Sequence, residues 1–330
     1  MNKEVAQIIE TVCQNKNVII HYQSFVKIKK NGENRHILKP CGELLDIQRE
    51  LSLIFSKVFQ VHSSAHGFMK NRSVLTHAKL HLNANSLLNI DLKHFFTSIK
   101  TASISKIFNS GFPNISSSTQ SNLIDLVCYE GCLPQGAPTS PILSNVYCYE
   151  MDAQLLEYAQ NNGAKYSRYA DDITFSFDHS LPDTLPAFVD LKSRKISQNI
   201  VGLFKSYGFE LNHNKTRFQS KFQAMFVTGI KINEFPNVSR NYINNIRSML
   251  YIWEKFGYHS CEKRFFQKYS TPRQRKFSTH PLFRNVIRGK LNYLKMIRGV
   301  DDPLYQKYAQ WYNRLSQPFG EKKLKLEGAR

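Results

Sequence analysis

The sequence predicts an α+β fold in which a mixed or antiparallel sheet lies between a basic α/β segment and a basic helical tail. Two observations indicate the sheet. Residues 86–91 form a nearly continuous apolar run typical of a buried strand, and residues 166–177 form a hairpin pattern in which apolar residues alternate with Thr174 and Ser176. From residue 239 onward apolar side chains recur at helical spacing, which predicts the tail.

The other elements follow from the same periodicities and from turn and cap residues. A turn at 30–32 separates two short strands, and Ser140 before a proline is expected to be the N-cap of a helix. Helices are predicted over residues 1–20, 42–59, 140–155, 187–207 and after 239, and strands within 22–40, at 86–91, within 166–177, and around 209–219 and 224–235.

The charge of the chain indicates its class of partner. Lys and Arg number 45 against 25 Asp and Glu, which gives a net charge of +20 and points to a polyanion, with nucleic acid as the leading candidate. Residues 241–330 hold 19 basic and 6 acidic side chains. A membrane surface is the alternative, but the basic residues are interleaved with aromatic ones, which suits bases and sugars better. We therefore expect nucleic acid and no membrane as partner.

Targeting signals and cysteine usage give the expected compartment. No run of eighteen apolar residues occurs, and the N-terminus lacks the pattern of a signal peptide, so we expect a soluble, cytoplasmic protein. The six cysteines are scattered, and only Cys128 and Cys132 lie close together, without the second pair that a zinc site needs. We expect all six to be reduced thiols.

Three carboxylates carry the chemical prediction. Asp91 ends the apolar strand, and Asp171 and Asp172 lie at the tip of the hairpin, where a solvated turn is the alternative. Two strand ends can bring all three to one edge of a sheet, where their mutual repulsion calls for a divalent cation. Oxygen ligands favour Mg²⁺ or Mn²⁺, and two such ions about 3.5–4 Å apart suit in-line displacement at a phosphoryl centre. The expected reaction class is nucleotidyl transfer.

Residues 169–172 read YADD, which resembles the catalytic box of reverse transcriptases. Further segments between about residues 20 and 235 resemble motifs of that family and occur in its order. They are RHILKP, ELLDIQ and AHGFMKNRSVLTHA within 35–78, NIDLKHFF at 89–96, LPQGAPTSP at 133–141, GFELNHNKT at 208–216 and VTGI at 227–230. The resemblance implies the right-hand polymerase architecture, with fingers over 1–85, a palm with remaining fingers elements over 86–238 and a helical thumb over 239–330.

The resemblance also implies roles for individual residues. Two Mg²⁺ ions, for which Mn²⁺ is a possible substitute, would be held by Asp91, Asp171, Asp172 and the carbonyl of Leu92, and Lys215 would act as general acid toward pyrophosphate. The resemblance implies further contacts with the nucleotide and with nucleic acid. The dNTP would contact Arg35, Lys39, Phe96, Gln135 and Gly136, and primer, template or RNA would contact Ala78, His81, Val227, Thr228, Gly229, Arg247 and Lys255. Taken alone, Phe96 is typical of a core residue and Lys215 of a solvated loop.

The spelling of the motifs is similar to that of the retron and group II intron branch. The QGAPTSP and VTG segments are typical of retron enzymes, whereas the motif Asn-Ala-x-x-His has His77 in place of asparagine. The resemblance implies a bacterial enzyme that copies part of a cognate non-coding RNA into DNA from an RNA 2′-OH and gives a branched RNA–DNA product. Together with an effector protein it would defend against phage. A reverse transcriptase with different priming and a non-catalytic RNA-binding scaffold are the alternatives.

Overall fold

The computed structural model describes residues 8–11, 21–28, 32, 34–178, 185–190, 195–269, 281–320 and 323–324. The chain divides into two compact units, Met1–Thr228 and Gly229–Arg330. Most of the helix predicted over 1–20 lies outside the described residues. The predicted division into 1–85, 86–238 and 239–330 stays a prediction.

The strands of the described residues are β1 (Tyr22–Ile28), β2 (Asn34–Pro40), β3 (Ser86–Lys93), β4 (Ala164–Tyr169), β5 (Asp172–Phe177), β6 (Val189–Asp190), β7 (Lys195–Ile196), β8 (Glu210–Leu211), β9 (Arg217–Ser220), β10 (Phe226–Val227) and β11 (Ile230–Lys231). The helices are α1 (Glu43–Val58), α2 (Val74–Leu80), α3 (Phe95–Ser98), α4 (Thr101–Gly111), α5 (Ser117–Val127), α6 (Ser140–Tyr147), α7 (Tyr149–Asn161), α8 (Leu185–Phe188), α9 (Gln198–Ser206), α10 (Arg240–Phe256), α11 (Tyr258–Tyr269), α12 (Phe283–Arg298) and α13 (Pro303–Ser316), followed by a 3₁₀ turn at Gln317–Phe319.

Strand β3 is the centre of the main sheet of the first unit. Strand β5 pairs with one side of it, β8 and β9 pair with the other side, and β4 lies outside β5. All of these pairings are antiparallel, so the predicted α+β fold is confirmed and its main sheet is antiparallel. Residues 86–90 are buried because side chains of β3 and β5 join those of α1, α4, α6 and α7 in one hydrophobic core.

Several element boundaries differ from the sequence predictions. Strand β3 continues two residues past Asp91, because Leu92 and Lys93 pair with strand β8. The helix predicted from Ser140 is interrupted at Cys148, which separates α6 from α7. Ser140 is the first helical residue and not the N-cap, and its hydroxyl donates a hydrogen bond of 2.7 Å to the carbonyl of Pro134. The helix predicted near 187–207 is shorter, because α9 begins at residue 198.

The second unit contains the predicted helical tail. Helix α10 begins after Ser239, whose hydroxyl accepts a hydrogen bond from the N–H of Tyr242, and it ends at Phe256, before Gly257 with a positive φ of 74°. Its apolar face, which includes Ile246 and Trp253, is buried. Among the described helices, none is long and apolar enough to cross a membrane. The five cysteines that the structure describes are free thiols, and Cys13 lies outside the described residues.

Candidate active site

The YADD segment forms a two-residue turn between β4 and β5. Tyr169 pairs with Asp172 across the hairpin, so Ala170 and Asp171 form the turn itself and Asp172 is the first residue of β5. Ala170 has a φ of 56°, a left-handed conformation that residues with a Cβ adopt at some cost in energy. The hairpin predicted over 166–177 is therefore present, and its tip is strained.

The three predicted carboxylates meet at one edge of the sheet. Asp91 on β3 lies directly opposite Asp172 in the register of the antiparallel pair. The N–H of Leu92 donates a hydrogen bond of 3.0 Å to the carbonyl of Asp171, which ties the turn to the end of β3. The structure thus brings together the residues that the sequence placed in an acidic centre, with the Leu92 backbone beside them.

Burial and mutual repulsion raise the pKa of two of these carboxyl groups. The pKa of Asp172 rises from its ordinary value of 3.8 to about 6, first through burial and then through the charges of Asp171 and Asp91. The pKa of Asp171 is also raised, again by burial first and by Asp91 second, while Arg35 acts in the opposite direction. Excess negative charge at this edge favours a bound cation.

Lys215 supplies part of that positive charge. Its Nζ lies 2.9 Å and 3.0 Å from the two carboxylate oxygens of Asp91 and is half exposed. Asn212 adds two contacts to the same residue, because its amide Nδ2 donates to Asp91 Oδ1 at 3.0 Å and its backbone N–H donates to the Asp91 carbonyl at 2.8 Å. The motif around Lys215 therefore folds directly onto the first carboxylate.

The donor set fits a hard divalent cation, although the side chains do not form a closed metal cage. Within the described part of the chain, no group of three or more His, Cys, Asp or Glu side chains is arranged to hold a metal ion. Asp91, Asp171 and Asp172 nevertheless offer only oxygen atoms, and two of them have raised pKa values that a cation would lower. Carboxylates of this kind suit Mg²⁺ or Mn²⁺ better than zinc.

The predicted nucleotide-side loop packs against strand β2. The N–H of Leu38 donates a hydrogen bond of 2.9 Å to the carbonyl of Gln135. A Cβ on Gly136 would lie 2.7 Å from the Leu38 carbonyl oxygen, and the φ of 126° also favours glycine. Gly136 therefore packs closely on the protein's own backbone, and its predicted contact with a nucleotide stays a prediction.

Three further predicted dNTP contacts lie on neighbouring elements of the same unit. Arg35 and Lys39 are exposed on β2, separated by an even number of residues and thus on one face of the strand. Phe96 lies in the first turn of α3 and is half-buried, with its ring centroid 6.0 Å from that of Phe68. Phe68 in turn lies 6.5 Å from the ring of Tyr169, next to the acidic turn.

Comparisons with known proteins identify the family of the chain. The sequence model described as reverse transcriptase (RNA-dependent DNA polymerase) matches residues 28–243. The retron Ec86 reverse transcriptase of Escherichia coli is 32% identical over 239 residues, and the alignment covers 70% of this chain and 69% of that protein. The chain belongs to the retron-type reverse transcriptases.

Two relatives from Myxococcus xanthus extend this result. The retron Mx162 reverse transcriptase is 33% identical over 234 residues, which cover 64% of this chain and 47% of the relative. The retron Mx65 reverse transcriptase is 31% identical over 250 residues, which cover 70% of this chain and 56% of the relative. The chain spans about half the length of these two relatives. Membership of the family confirms the predicted right-hand fold class, and the roles of single residues stay predictions.

Two of the predicted RNA contacts lie inside the protein. Ala78 and His81 are both fully buried. The two ring nitrogens of His81 are hydrogen bonded at 2.7 Å to the hydroxyls of Ser176 on β5 and Ser167 on β4. Burial lowers the pKa of His81 well below its ordinary value, so the ring is neutral. The ring of His81 supports the hairpin that carries the YADD turn, and we do not retain the two buried side chains as RNA contacts.

The two motifs that are typical of retron enzymes contact each other in the first unit. His77, which stands where the motif usually has asparagine, has its Nδ1 3.4 Å from the hydroxyl of Thr228. The same hydroxyl lies 3.4 Å from the carbonyl of Val74. Val227 is fully buried, and Gly229 is exposed with a φ of 82°. Of the VTG triplet, the backbone of the turn is thus the part that remains accessible.

Arg247 and Lys255 lie on helix α10 of the second unit, and both are exposed. The Nζ of Lys255 lies 5.8 Å from the ring centroid of Tyr251 and 5.5 Å from that of Phe256. Both aromatic rings are themselves exposed. This surface combines basic and aromatic side chains, as the sequence predicted for the tail.

The sequence did not predict a buried polar network under the YADD turn. Its members are Arg168 on β4, Asp152 on α7 and Asn145 on α6, each with no exposed side-chain surface. A signal was present in the sequence, since Arg168 lies two residues after Tyr166 in the first strand of the predicted hairpin and therefore on the same face of that strand. A charge at such a position requires a partner, and the sequence alone did not indicate which one.

Proposed function

We propose that the protein is an RNA-directed DNA polymerase in which Asp91, Asp171 and Asp172 form the acidic centre for nucleotidyl transfer. One observation carries the proposal: Asp91 lies opposite Asp172 across β3 and β5, and Asp171 lies in the adjoining turn, inside the segment that matches the reverse transcriptase family. The raised pKa values of the two hairpin carboxyl groups support a cation-binding role, because binding a cation would relieve the repulsion that raises them.

We propose two Mg²⁺ ions, replaceable by Mn²⁺, as the cofactors. The carboxylates of Asp91, Asp171 and Asp172 and the backbone carbonyl of Leu92 would hold them. Such ions lower the pKa of an attacking hydroxyl and neutralise charge on a triphosphate. The protein's own contribution is to hold the oxygen donors at one sheet edge, where the hydrogen bond from Leu92 to the Asp171 carbonyl ties the turn to β3.

Lys215 is proposed as the proton donor to the pyrophosphate leaving group. Its ammonium group has three donors, and its half-exposed position leaves it able to move between Asp91 and a bound triphosphate. The ion pair with Asp91 supports the proposal in one further respect. It keeps a positive charge at the acidic centre before the substrate arrives, and Asn212 keeps its hydrogen bond to the same carboxylate when the lysine leaves.

The incoming nucleotide is proposed to lie between strand β2 and helix α3. Arg35 and Lys39 would bind its phosphates, and the arginine suits bidentate contact. Gln135 and Gly136 would line the base and sugar side, with β2 held in place by the hydrogen bond between Leu38 and Gln135. The ring of Phe96 would fill the space that a ribose 2′-OH needs, which selects deoxynucleotides.

The retron branch leads to a more specific proposal about product and biology. We propose that a cognate structured non-coding RNA is both template and primer, and that synthesis starts from one of its 2′-OH groups to give a branched RNA–DNA molecule. With an effector protein, this product would serve in defence against phage. The support is the sequence similarity to three retron reverse transcriptases of Escherichia coli and Myxococcus xanthus.

The basic face of α10 is the proposed contact for RNA or primer–template. Arg247 and Lys255 lie on it beside exposed aromatic rings that can stack on bases. Thr228 and Gly229 would contribute backbone contacts at the VTG turn, while the buried Val227 would anchor that turn. Phosphate neutralisation makes the affinity fall with salt, with a log–log slope of about −0.7 for each phosphate contacted on a single strand.

Expression with about a kilobase of native flanking DNA tests the retron-specific part of the proposal. Total nucleic acid is extracted and analysed for a short DNA whose size shifts after RNase treatment. A discrete, RNase-shifted band supports branched synthesis and supplies the cognate RNA for mapping of the branch. Absence of such DNA, together with normal extension of an annealed primer in vitro, contradicts 2′-OH priming and favours a reverse transcriptase with another priming route.

A further inference from the structure

The YADD turn lies on a buried ion pair that has no role in the proposed chemistry. The Nε and Nη2 atoms of Arg168 donate hydrogen bonds to the two carboxylate oxygens of Asp152 at 2.8 Å and 2.6 Å. The hydroxyl of Tyr166 donates to the same carboxylate at 2.6 Å. Both charged side chains have no exposed surface. A buried pair of this kind gives little net stability compared with apolar residues, so its presence calls for another explanation.

The third nitrogen of the Arg168 guanidinium, Nη1, is directed at the turn. Its Nη1 donates to the carbonyl of Ala170 at 3.3 Å and to Oδ1 of Asn145 at 3.2 Å. Asn145 then donates from Nδ2 to the carbonyl of Gly67 at 2.8 Å. The guanidinium thus joins helix α7, helix α6 and the first residue of the turn that precedes Asp171.

Gly67 packs directly against the backbone of the YADD turn. A Cβ at this position would lie 2.7 Å from the backbone nitrogen of Ala170 and 3.2 Å from the carbonyl carbon of Tyr169. The end of strand β4 is fixed as well, because the N–H of His66 donates a hydrogen bond of 2.7 Å to the carbonyl of Arg168. Backbone therefore packs on backbone at the turn, with no side chain between them.

A turn with a left-handed alanine persists only when its surroundings hold it. The left-handed conformation of Ala170 is unfavourable for a residue with a Cβ, and such strain is found where neighbouring structure fixes the backbone. Arg168 fixes the carbonyl of Ala170, and Gly67 packs on its nitrogen. Asp171 is the next residue, so the position of its carboxylate depends on these two contacts to Ala170.

We propose that Arg168 is a positioning residue for nucleotidyl transfer. Together with Asp152, Asn145 and Gly67 it holds the turn in the conformation that places Asp171 beside Asp91 and Asp172, at the edge of the sheet that we call the acidic edge. This inference rests on the proposed function of Asp171. The network acts on the rate of the chemical step, and it touches neither nucleotide nor nucleic acid.

The first test removes the ion pair without leaving a buried charge. The double variant Arg168→Met with Asp152→Leu replaces both partners by apolar side chains of similar size, a change that buried ion pairs commonly tolerate. Thermal unfolding establishes that the variant folds, and single-turnover extension of a DNA primer on an RNA template gives the rate of chemistry. We expect a rate about 100-fold lower, as a displacement near 1 Å produces, with the KM for dNTP and the Kd for primer–template unchanged.

The second test leaves Arg168 intact and moves the turn. In Gly67→Ala the new Cβ meets backbone atoms that cannot rotate away, so we expect the same loss of rate at unchanged KM and Kd. The matched control is Gly202→Ala on helix α9, where a Cβ has nothing within 4 Å. A rate for Gly67→Ala within about threefold of that control would overturn the inference, whether or not the double variant folds.

Two further variants separate the possible failures. Arg168→Lys keeps the charge beside Asp152 but has a single ammonium in place of the fork, so it cannot hold both Asp152 and the Ala170 carbonyl. A wild-type rate in this variant would show that only the charge matters and would overturn the positioning role. Asp171→Asn is measured in parallel: if it retains full activity, the proposed function of Asp171 fails. If it is inactive while the network variants keep the wild-type rate, the positioning inference alone fails.

Discussion

Replacing Asp172 by asparagine should stabilise the metal-free protein above pH 6. Burial and the neighbouring carboxylates raise the pKa of Asp172 from 3.8 to about 6. At a pH above both values the carboxyl is charged in the folded and the unfolded chain, and the folded state bears the whole unfavourable interaction. Each pKa unit corresponds to 1.36 kcal/mol, so the raised pKa corresponds to about 3 kcal/mol, which asparagine should largely recover.

The sign of the pH dependence follows from the direction of the pKa change. Because the folded-state pKa is the higher one, wild-type protein gains stability as the pH falls from about 6 toward 3.8, and the advantage of Asp172→Asn should disappear over that window. Chemical denaturation at pH 8, 6, 5 and 4 in the presence of EDTA measures the difference in free energy of unfolding between the variant and the wild type. The control is Asp125→Asn, an exposed carboxylate on α5, which should change stability by less than about 0.5 kcal/mol.

The same unfolding experiment is repeated with Mg²⁺ in place of EDTA. If the raised pKa values reflect a cation site, millimolar Mg²⁺ at pH 8 should stabilise the wild type and reduce the advantage of the variant. A variant that is less stable than the wild type at pH 8, or a difference that does not change between pH 8 and pH 4, would refute the electrostatic reasoning about the acidic edge.

Three other substitutions have defined outcomes. Gln48→Leu removes hydrogen bonds of 2.7 Å to a tyrosine hydroxyl and a backbone carbonyl, so denaturant unfolding should show a loss of about 1–3 kcal/mol. Gly136→Ala sets a Cβ 2.7 Å from the carbonyl oxygen of Leu38 and should lower the free energy of unfolding by about 1–3 kcal/mol, whereas an unchanged value would contradict the close packing. Lys215→Met removes the partner of Asp91, and steady-state extension should show kcat reduced roughly 10²–10⁴-fold if the lysine is the general acid.

The sequence was sufficient to predict the acidic edge because the strands that carry the three carboxylates have regular local patterns of apolar residues. The apolar strand before Asp91 and the alternating hairpin after Asp172 each fix the face and the end of a strand. The order of the motifs then indicated which strand ends meet. The register that places Asp91 opposite Asp172 confirms the expectation that the three carboxylates share one edge.

The sequence could not reveal contacts that depend on side chains far apart in the chain. Asp152 is fourteen or sixteen residues from its hydrogen-bond partners Tyr166 and Arg168, and nothing in helix α7 distinguishes it from an exposed acidic residue. The same limit explains His81, whose motif suggested RNA contact although two serines of the hairpin bind its ring. The close packing of Gly136 on the Leu38 carbonyl also depends on a distant segment, and the nucleotide contact predicted for Gly136 stays a prediction.

Primer extension by the Asp171→Asn variant tests whether the three carboxylates form the catalytic centre. Wild-type protein and variant are given an RNA template with an annealed DNA primer, dNTPs and Mg²⁺, and binding of the primer–template is measured on the same samples by fluorescence anisotropy. We expect extension by the wild type, none by the variant, and equal affinity for the primer–template in both. Full extension by Asp171→Asn would contradict the assignment of the acidic edge as the catalytic centre.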